Sequence, residues 1–246
     1  VRLAKVNIKD CRDSCDAGVR LVREFDPSEL AHIFILSDGQ HVNGSELVRG
    51  LDKGLPAGCA ITGGLAADGD RFARTLVFAD GDPEEGAVVG VALYGDRLRV
   101  GYGSMGGWDP FGPVRLITKS KGNVLYELDG RSALELYKRY LGEAAEELPA
   151  SALLFPLSLR TPNDDRGVVR TILTVNDADQ SMTFAGNVPE GSYARLMKAN
   201  FDRLVDGATG AARSSCESIR SRTTELAILI SCVGRRLVLK QRIEEE

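Results

Sequence analysis

The segment from Ser37 to Glu46 constrains this chain more than any other. It joins an apolar run, Ala31 to Leu36, to a helical pattern from Glu46 to Leu55, through the polar, glycine-punctuated string Asp38-Gly39-Gln40-His41-Val42-Asn43-Gly44-Ser45. A buried strand that breaks into such a loop and then opens a helix turns free backbone N–H groups and a positive dipole end toward whatever occupies the loop. The pattern recurs at Cys59 to Gly69, where a short apolar run breaks into Gly63, Gly64 and Asp68. It comes again at Leu226 to Arg236, where the run ends in Ser231-Cys232-Val233-Gly234 and two arginines. Three apolar strands that each end in small or polar residues predict loops gathered at one end of a sheet.

Outward from these loops, Val1 to Ile8 alternates as a strand, and Asp10 to Phe25 carries Cys15, Val19, Leu21, Val22 and Phe25 at helical spacing. With Ala31–Leu36, a helix that Ser45 is suited to cap, and Cys59–Thr62, the N-terminal rhythm is β-α-β-α-β, which predicts parallel pairing. Short strand-like runs come next at Arg71–Ala79, Ala87–Tyr94, Leu98–Tyr102, Val114–Ser120 and Val124–Leu128, separated by turns, as in an antiparallel meander. Ser132 to Leu148 reads as helix, Leu153–Leu159, Val168–Val175 and Ser181–Ala185 as strands, and Ser192 to about Ser218 as a long helix. Leu226–Ile230 is expected as the last strand, and Arg235–Glu246 as a closing helix. The fold class is therefore α+β: mixed sheets, with the β-α-β-α-β portion followed by the meander and a helix-flanked C-terminal sheet. The domain division expected is 1–130 and 131–246.

Composition excludes more than it identifies. The 246 residues are 43% hydrophobic and carry a net charge of −4, so a sizeable core is available and nothing favours nucleic acid. Neither a membrane span of about eighteen apolar residues nor a secretory leader is legible, and the chain reads as cytoplasmic. Its five cysteines form no CxxC pair and read as reduced thiols.

Catalytic chemistry finds few carriers. There are two histidines; His32 lies inside an apolar strand, and His41 lies in the loop near Asp38, where it can hold a carboxylate or act as acid or base. Cys232, at a strand end with Arg235 and Arg236 nearby, is either an activated thiolate or a small residue that lets strand and helix pack closely. A small hydrolase using Cys232 or His41 is thus one reading. No Walker A string, HExxH, GxSxG or Rossmann fingerprint occurs.

Ligand binding asks less. An amino acid or small carboxylate needs an anion site, which the helix N-termini after Gly44 or Gly234 supply, with Arg235 as a fork. Its ammonium group needs acceptors, for which Asp38, Asn43 and Asp68 are the candidates. The competing reading of Asp38 and Asn43 is that they shape an Asx turn, of Ser45 that it caps the helix, of Gly63 and Gly64 that they form a tight turn, and of the arginines that they solvate a first helical turn. Trp108, within Gly106-Gly107-Trp108-Asp109-Pro110, lies in a stretch too rich in Gly and Pro for regular structure; its indole either covers a ligand or plugs the sheet. Non-covalent haem is the third reading and depends on His41, since no CxxCH string exists.

Taken together, Asp38 to Leu47, Thr62 to Gly69, Gly106-Gly107-Trp108, Gly122 to Gly130, Leu153 to Leu157 and Ile230 to Arg236 resemble the FIST family, named for F-box and intracellular signal transduction proteins, in the expected order along the chain. The resemblance implies a cytoplasmic sensory module that binds small molecules such as amino acids and signals to a histidine kinase, cyclase or chemotaxis partner, with haem bound in one branch and no catalysis. Family members usually carry a further α/β stretch before the region seen here and a Gly-Phe-Tyr-like segment after it. Their absence implies a piece of a longer protein.

Overall fold

A computed structural model describes residues 1–161, 164–219 and 224–245. The chain forms two compact units. The first comprises Val1–Asp68, Ala73–Met105 and Thr209–Ser231, and the second Gly69–Phe72, Gly106–Ala208 and Cys232–Glu246.

In the first unit, strands β1 (Arg2–Asn7), β2 (Leu30–Ser37), β3 (Ala60–Leu65) and β4 (Ala87–Tyr94) make a mixed sheet in the order β1-β4-β2-β3. The parallel pairing expected from the N-terminal rhythm holds between β2 and β3, where Ile35 faces Gly63. β1 and β2 are kept apart because β4 enters between them antiparallel to both. Helices α1 (Ser14–Arg23) and α2 (Gly44–Leu51) bury Leu21, Val22, Leu47 and Leu51 with Ile33, Ile35, Val88 and Ala92. The helices cross at glycines: a Cβ on Gly18 would stand 2.3 Å from the Leu47 carbonyl oxygen, and one on Gly50 2.1 Å from that of Cys15. Asp13 caps α1 by accepting from the Asp16 N–H.

The second unit is built on an antiparallel sheet in the order β10-β11-β6-β5-β12-β8-β9, with the two-residue β7 (Arg131–Ser132) beside β6. Its strands are β5 (Trp108–Lys121), β6 (Val124–Leu128), β8 (Leu157–Thr161), β9 (Asp164–Arg170), β10 (Ile172–Asn176), β11 (Ser181–Phe184) and β12 (Tyr193–Ala199). A single residue, Thr171, separates β9 from β10, so the two ends of the sheet are consecutive in the chain and the sheet curls. Helix α3 (Ala133–Leu141), capped by Ser132 in a Ser-x-x-Glu arrangement with Glu135, buries Leu134, Leu136 and Tyr137 in the core that this curl encloses. The Tyr137 hydroxyl donates to the Phe155 carbonyl at 2.8 Å.

Several local expectations are overturned. Ser192 to Ser218 is not one helix: Tyr193–Ala199 is strand β12, paired on both sides, and helix α4 begins only at Phe201 and ends at Ile219. Ala, Arg, Leu, Met and Lys favour helix locally, but burial of Ala194 and Leu196 between β5 and β8 decides the outcome. Arg71–Ala79 and Leu98–Tyr102 form no ladder; the Val77–Glu84 bridge stands alone. Ala150–Leu154 is a 3-10 turn rather than the start of a strand. Helix α5 (Val233–Leu239) starts earlier than expected and passes into a 3-10 turn; the expected end at Glu246 lies outside the described residues. Leu226–Ile230 belongs to no helix and no sheet.

Candidate functional site

The strand β2 ends in a clamp. Asp38 N–H donates to the Ala87 carbonyl at 2.8 Å, and the Ala66 N–H donates to the Ser37 carbonyl at 2.7 Å, so the ends of β2 and β3 and the start of β4 are tied at one point. Gly39 passes so near β3 that a Cβ there would stand 1.9 Å from the Ala66 carbonyl oxygen. Its N–H donates to the buried Thr75 hydroxyl at 3.0 Å.

Asp38 organises the loop between β2 and α2. Its side chain is 0% exposed. One carboxylate oxygen accepts from the Gln40 N–H at 2.8 Å, the His41 N–H at 2.7 Å and His41 Nδ1 at 3.1 Å, and the other from the Gly86 N–H at 2.9 Å. Burial works against the charge, but the hydrogen bonds from His41, Gly86 and Gln40 outweigh it and hold the carboxyl below its usual range. The carboxylate is thus spent on the turn. The geometry favours the Asx-turn reading of Asp38 over direct contact with a ligand, and it assigns the residue a positioning role toward His41.

His41 is presented outward. Its side chain is half exposed, with Nδ1 held on Asp38. Beside it in the chain, the Gln40 side-chain nitrogen is buried and has no hydrogen-bond partner. A buried donor without an acceptor costs about 1–3 kcal/mol, which an incoming oxygen atom would recover.

The helix N-terminus after Gly44 is already occupied from within. Asn43, not Ser45, is the cap of α2: its side-chain oxygen accepts from the Ser45 N–H at 3.1 Å and the Glu46 N–H at 3.3 Å. Ser45 moves to the second helical position, because the Asn43 backbone is the one in extended geometry. The expected anion site therefore keeps the field of the helix but has lost two of its donors to the cap.

On β3, Gly63 adopts φ +144°, and a Cβ there would fall 1.7 Å from the Ile35 carbonyl oxygen, so the residue is fixed by the parallel ladder itself. Gly64 is not so constrained; its missing Cβ would lie 3.6 Å from Ile230 Cγ2. Asp68 shapes the next loop, one oxygen accepting from the Ala73 N–H at 2.9 Å and the Arg74 N–H at 3.1 Å. His32 lies on β2 at 2% exposed, with Nε2 2.8 Å from the Thr62 hydroxyl and Nδ1 unpartnered; burial pushes its pKa down. It is a neutral core histidine.

Trp108, Cys232 and Arg235 belong to the second unit. Trp108 is the first residue of β5, against the expectation of an irregular loop. The strand accommodates Gly112 and Pro113 where its register with β12 shifts between Ala194 and Leu196, while Pro110 stays paired opposite Met197. The indole is half-buried against the cluster of Leu204, Val238 and Leu239. This is the plug arrangement. Arg235 is buried and donates to the Leu204 carbonyl, tying α5 to α4, while Arg236 is exposed. Cys232 is an exposed free thiol before α5, and among the described residues no imidazole or carboxylate hydrogen-bonds its sulfur.

Sequence reasoning missed Gln40, Thr75 and Gly86. Gln40 was hidden because a long polar side chain in a loop is ordinarily solvated. Thr75 and Gly86 were hidden because they reach Gly39 and Asp38 from segments 36 and 48 residues along the chain. Among the described residues no group of His, Cys, Asp and Glu is arranged to hold a metal ion, and no helix is long and apolar enough to cross a membrane.

Comparison with known proteins divides the chain at a point within the second structural unit. The FIST N domain model matches residues 1–131 and the FIST C domain model matches residues 133–246. An uncharacterized protein of Methanocaldococcus jannaschii is 24% identical over 200 residues, which cover 75% of this chain and 37% of that protein. No solved structure matches the chain. The chain belongs to the FIST family, whose domains are sensory domains of signal transduction.

Proposed function

We propose, starting from membership of the FIST family, that the chain is a non-catalytic sensor in the cytoplasm. It binds an amino acid or small carboxylate at the loop rim after β2 and β3 and passes the signal to a kinase, cyclase or chemotaxis partner. The observation that carries the reading is the pair Gln40 and His41: a buried amide donor lacking an acceptor, next to an outward imidazole fixed by Asp38. A carboxylate oxygen accepts from Gln40 Nε2 and from His41, within the field of the α2 N-terminus. Asn43, Ser45, Gly64 and Asp68 flank the ligand, and Asp38 and Gly63 keep the two loops in place.

Haem, which the family resemblance implies for one branch, fits this rim poorly. A ligating histidine does commonly hold its other ring nitrogen on a carboxylate, as His41 does. The loop residues around it, Gln40, Asn43 and Asp68, are polar, however, and a porphyrin face asks for apolar walls. The hydrolase reading has the exposed Cys232 thiol and the His41 ring held on Asp38 in its favour, but among the described residues no nucleophile hydrogen-bonds His41 and no base hydrogen-bonds Cys232.

A thermal-shift screen against amino acids, small carboxylates and hemin tests the proposal. A ligand present at a hundred times its Kd stabilises the folded state by about 2.7 kcal/mol. An amino acid or carboxylate is expected to raise the Tm, and Gln40→Leu and His41→Ala are expected to remove the shift while leaving the apo Tm close to that of the parent. The absence of a shift from either class would overturn the reading, as would a shift that survives both substitutions.

A further inference from the structure

The anchoring of the His41 ring fixes which of its nitrogens a ligand meets, and in what protonation state. Nδ1 lies 3.1 Å from an Asp38 carboxylate oxygen that already accepts from the Gln40 and His41 N–H groups at 2.8 and 2.7 Å. The other oxygen accepts from the Gly86 N–H at 2.9 Å. An ionised carboxylate has no proton to give, so the bond at Nδ1 exists only with the hydrogen on the ring. The neutral imidazole is therefore held as the tautomer protonated at Nδ1, and its remaining nitrogen, Nε2, carries a bare lone pair. Beside it in the chain, the unpartnered Gln40 Nε2 is a donor.

A carboxylate meets these two groups unequally. It accepts from the Gln40 amide at any pH, but an oxygen brought against the lone pair of a neutral imidazole is repelled; the imidazolium, by contrast, donates from Nε2. We infer that the rim takes up one proton with each carboxylate it binds, on His41, so that Asp38, by fixing the tautomer, makes the proton a co-ligand of the site. The inference rests on the reading of the rim as a carboxylate site.

The charges around the loop suit this coupling. Helix α2 brings Glu46, which pairs with Arg49. The loop after β3 brings Asp68, which accepts from the Ala73 and Arg74 N–H groups, and the turn before β4 brings Glu85, 3.9 Å from Arg74 Nη1. Helix α1, whose Ser14 hydroxyl accepts from the Asn43 N–H at 2.9 Å, brings Asp16, which pairs with Arg12 and Arg20. The arginines named here each have a carboxylate partner. Asp38 is fully buried, and among the described residues its charge is met by N–H dipoles and the His41 ring. A proton arriving on His41 thus stands against a buried opposite charge.

Isothermal titration calorimetry of acetate, succinate and L-glutamate into the chain, in two buffers of different ionisation enthalpy, counts the protons. At about pH 8, where an ordinary histidine is neutral, close to one proton is expected to enter per carboxylate bound. On the alkaline side of the His41 titration the Kd is expected to rise about tenfold per pH unit. His41→Gln, which offers an amide donor that does not titrate, should bind more weakly, with no proton uptake and a Kd that is flat with pH. Nitrogen-15 NMR of the free chain reads the tautomer without any ligand: the neutral His41 ring, identified by the signal lost in His41→Gln, should carry its hydrogen on Nδ1. Binding without proton uptake, uptake that persists in His41→Gln, or a neutral ring protonated at Nε2 would each overturn the inference while leaving the rim a carboxylate site. Failure of all three probes to bind at any pH would overturn the carboxylate reading and this inference together.

Discussion

Asp38→Asn isolates the group on which the rim depends. The carboxylate takes four hydrogen bonds, three from backbone N–H groups at 2.7–2.9 Å and one from His41 Nδ1 at 3.1 Å. An asparagine of nearly the same shape keeps one oxygen for Gln40 and His41 but turns an NH₂ group toward the Gly86 N–H, leaving that donor facing another donor. One unsatisfied buried donor costs about 1–3 kcal/mol, and the bonds that remain lose their charge assistance, so the loss is about 3 kcal/mol in all. At about 2–4 °C per kcal/mol for a chain of this size, the Tm should fall by roughly 6–12 °C. Urea unfolding followed by far-UV circular dichroism measures the free energy directly.

The same variant carries a pH signature. The Asp38 carboxyl is held below its usual range in the folded state, so its contribution is complete above the unfolded value of about 3.9 and is lost as pH falls through the lower, folded pKa. The gap between the parent and Asp38→Asn should therefore be constant from pH 7 to about pH 4.5 and close below that. A variant within about 0.5 kcal/mol of the parent, or a gap that does not change down to the acid limit, would refute the assignment of Asp38 as the organiser of the loop.

Three further substitutions probe the frame. Gly63→Ala forces a side chain onto the Ile35 carbonyl oxygen at a φ of +144° and should cost more than about 3 kcal/mol in urea unfolding; a cost under about 1 kcal/mol would mean that β3 does not hold this register in solution. His32 is neutral and its pKa is lowered by burial, so below the unfolded value of about 6.5 the unfolded chain binds the extra proton and stability declines as pH falls. His32→Leu should flatten the decline in urea midpoint between pH 7.5 and 5.5, and an unchanged slope would assign it elsewhere. Tyr137→Phe removes a buried hydroxyl that donates to the Phe155 carbonyl and should lower stability by about 1–2 kcal/mol; no change would place that carbonyl in contact with water.

How far the sequence carried these conclusions depends on the range of the forces involved. The β2–loop–α2 unit was legible because its signals are local: an apolar run, a Gly- and Asx-rich turn, and an amphipathic helix in immediate succession. The position of β4 between β1 and β2 was not, because nothing in Ala87–Tyr94 states which edge it will meet. Tyr193–Ala199 shows local preference losing to context, since helix-forming residues were drawn into a strand by ladders on both sides. Trp108 shows the converse: a Gly- and Pro-rich string was admitted to a long strand at the cost of a register shift.

The site was legible in kind but not in roles. Acidic and amide side chains in a glycine-rich loop serve equally as ligand contacts or as turn chemistry, and the two differ only in where the hydrogen-bond donors lie. For Asp38, the donors at Gln40 and His41 belong to its own turn, but the Gly86 N–H comes from 48 residues along the chain. That long-range donor takes up the second carboxylate oxygen, and the proposed site therefore rests on the outward His41 and the unpartnered amide nitrogen of Gln40 rather than on Asp38. The position of His41 then depends on a backbone contact that carries no side-chain signal. An insertion or deletion in the Asp80–Glu85 turn, which carries Gly86 toward Asp38, should disturb ligand binding as strongly as Gln40→Leu although it removes no ligand-facing group. Retained binding in such a loop variant, with the Asp38→Asn phenotype unchanged, would show that His41 is positioned without help from β4.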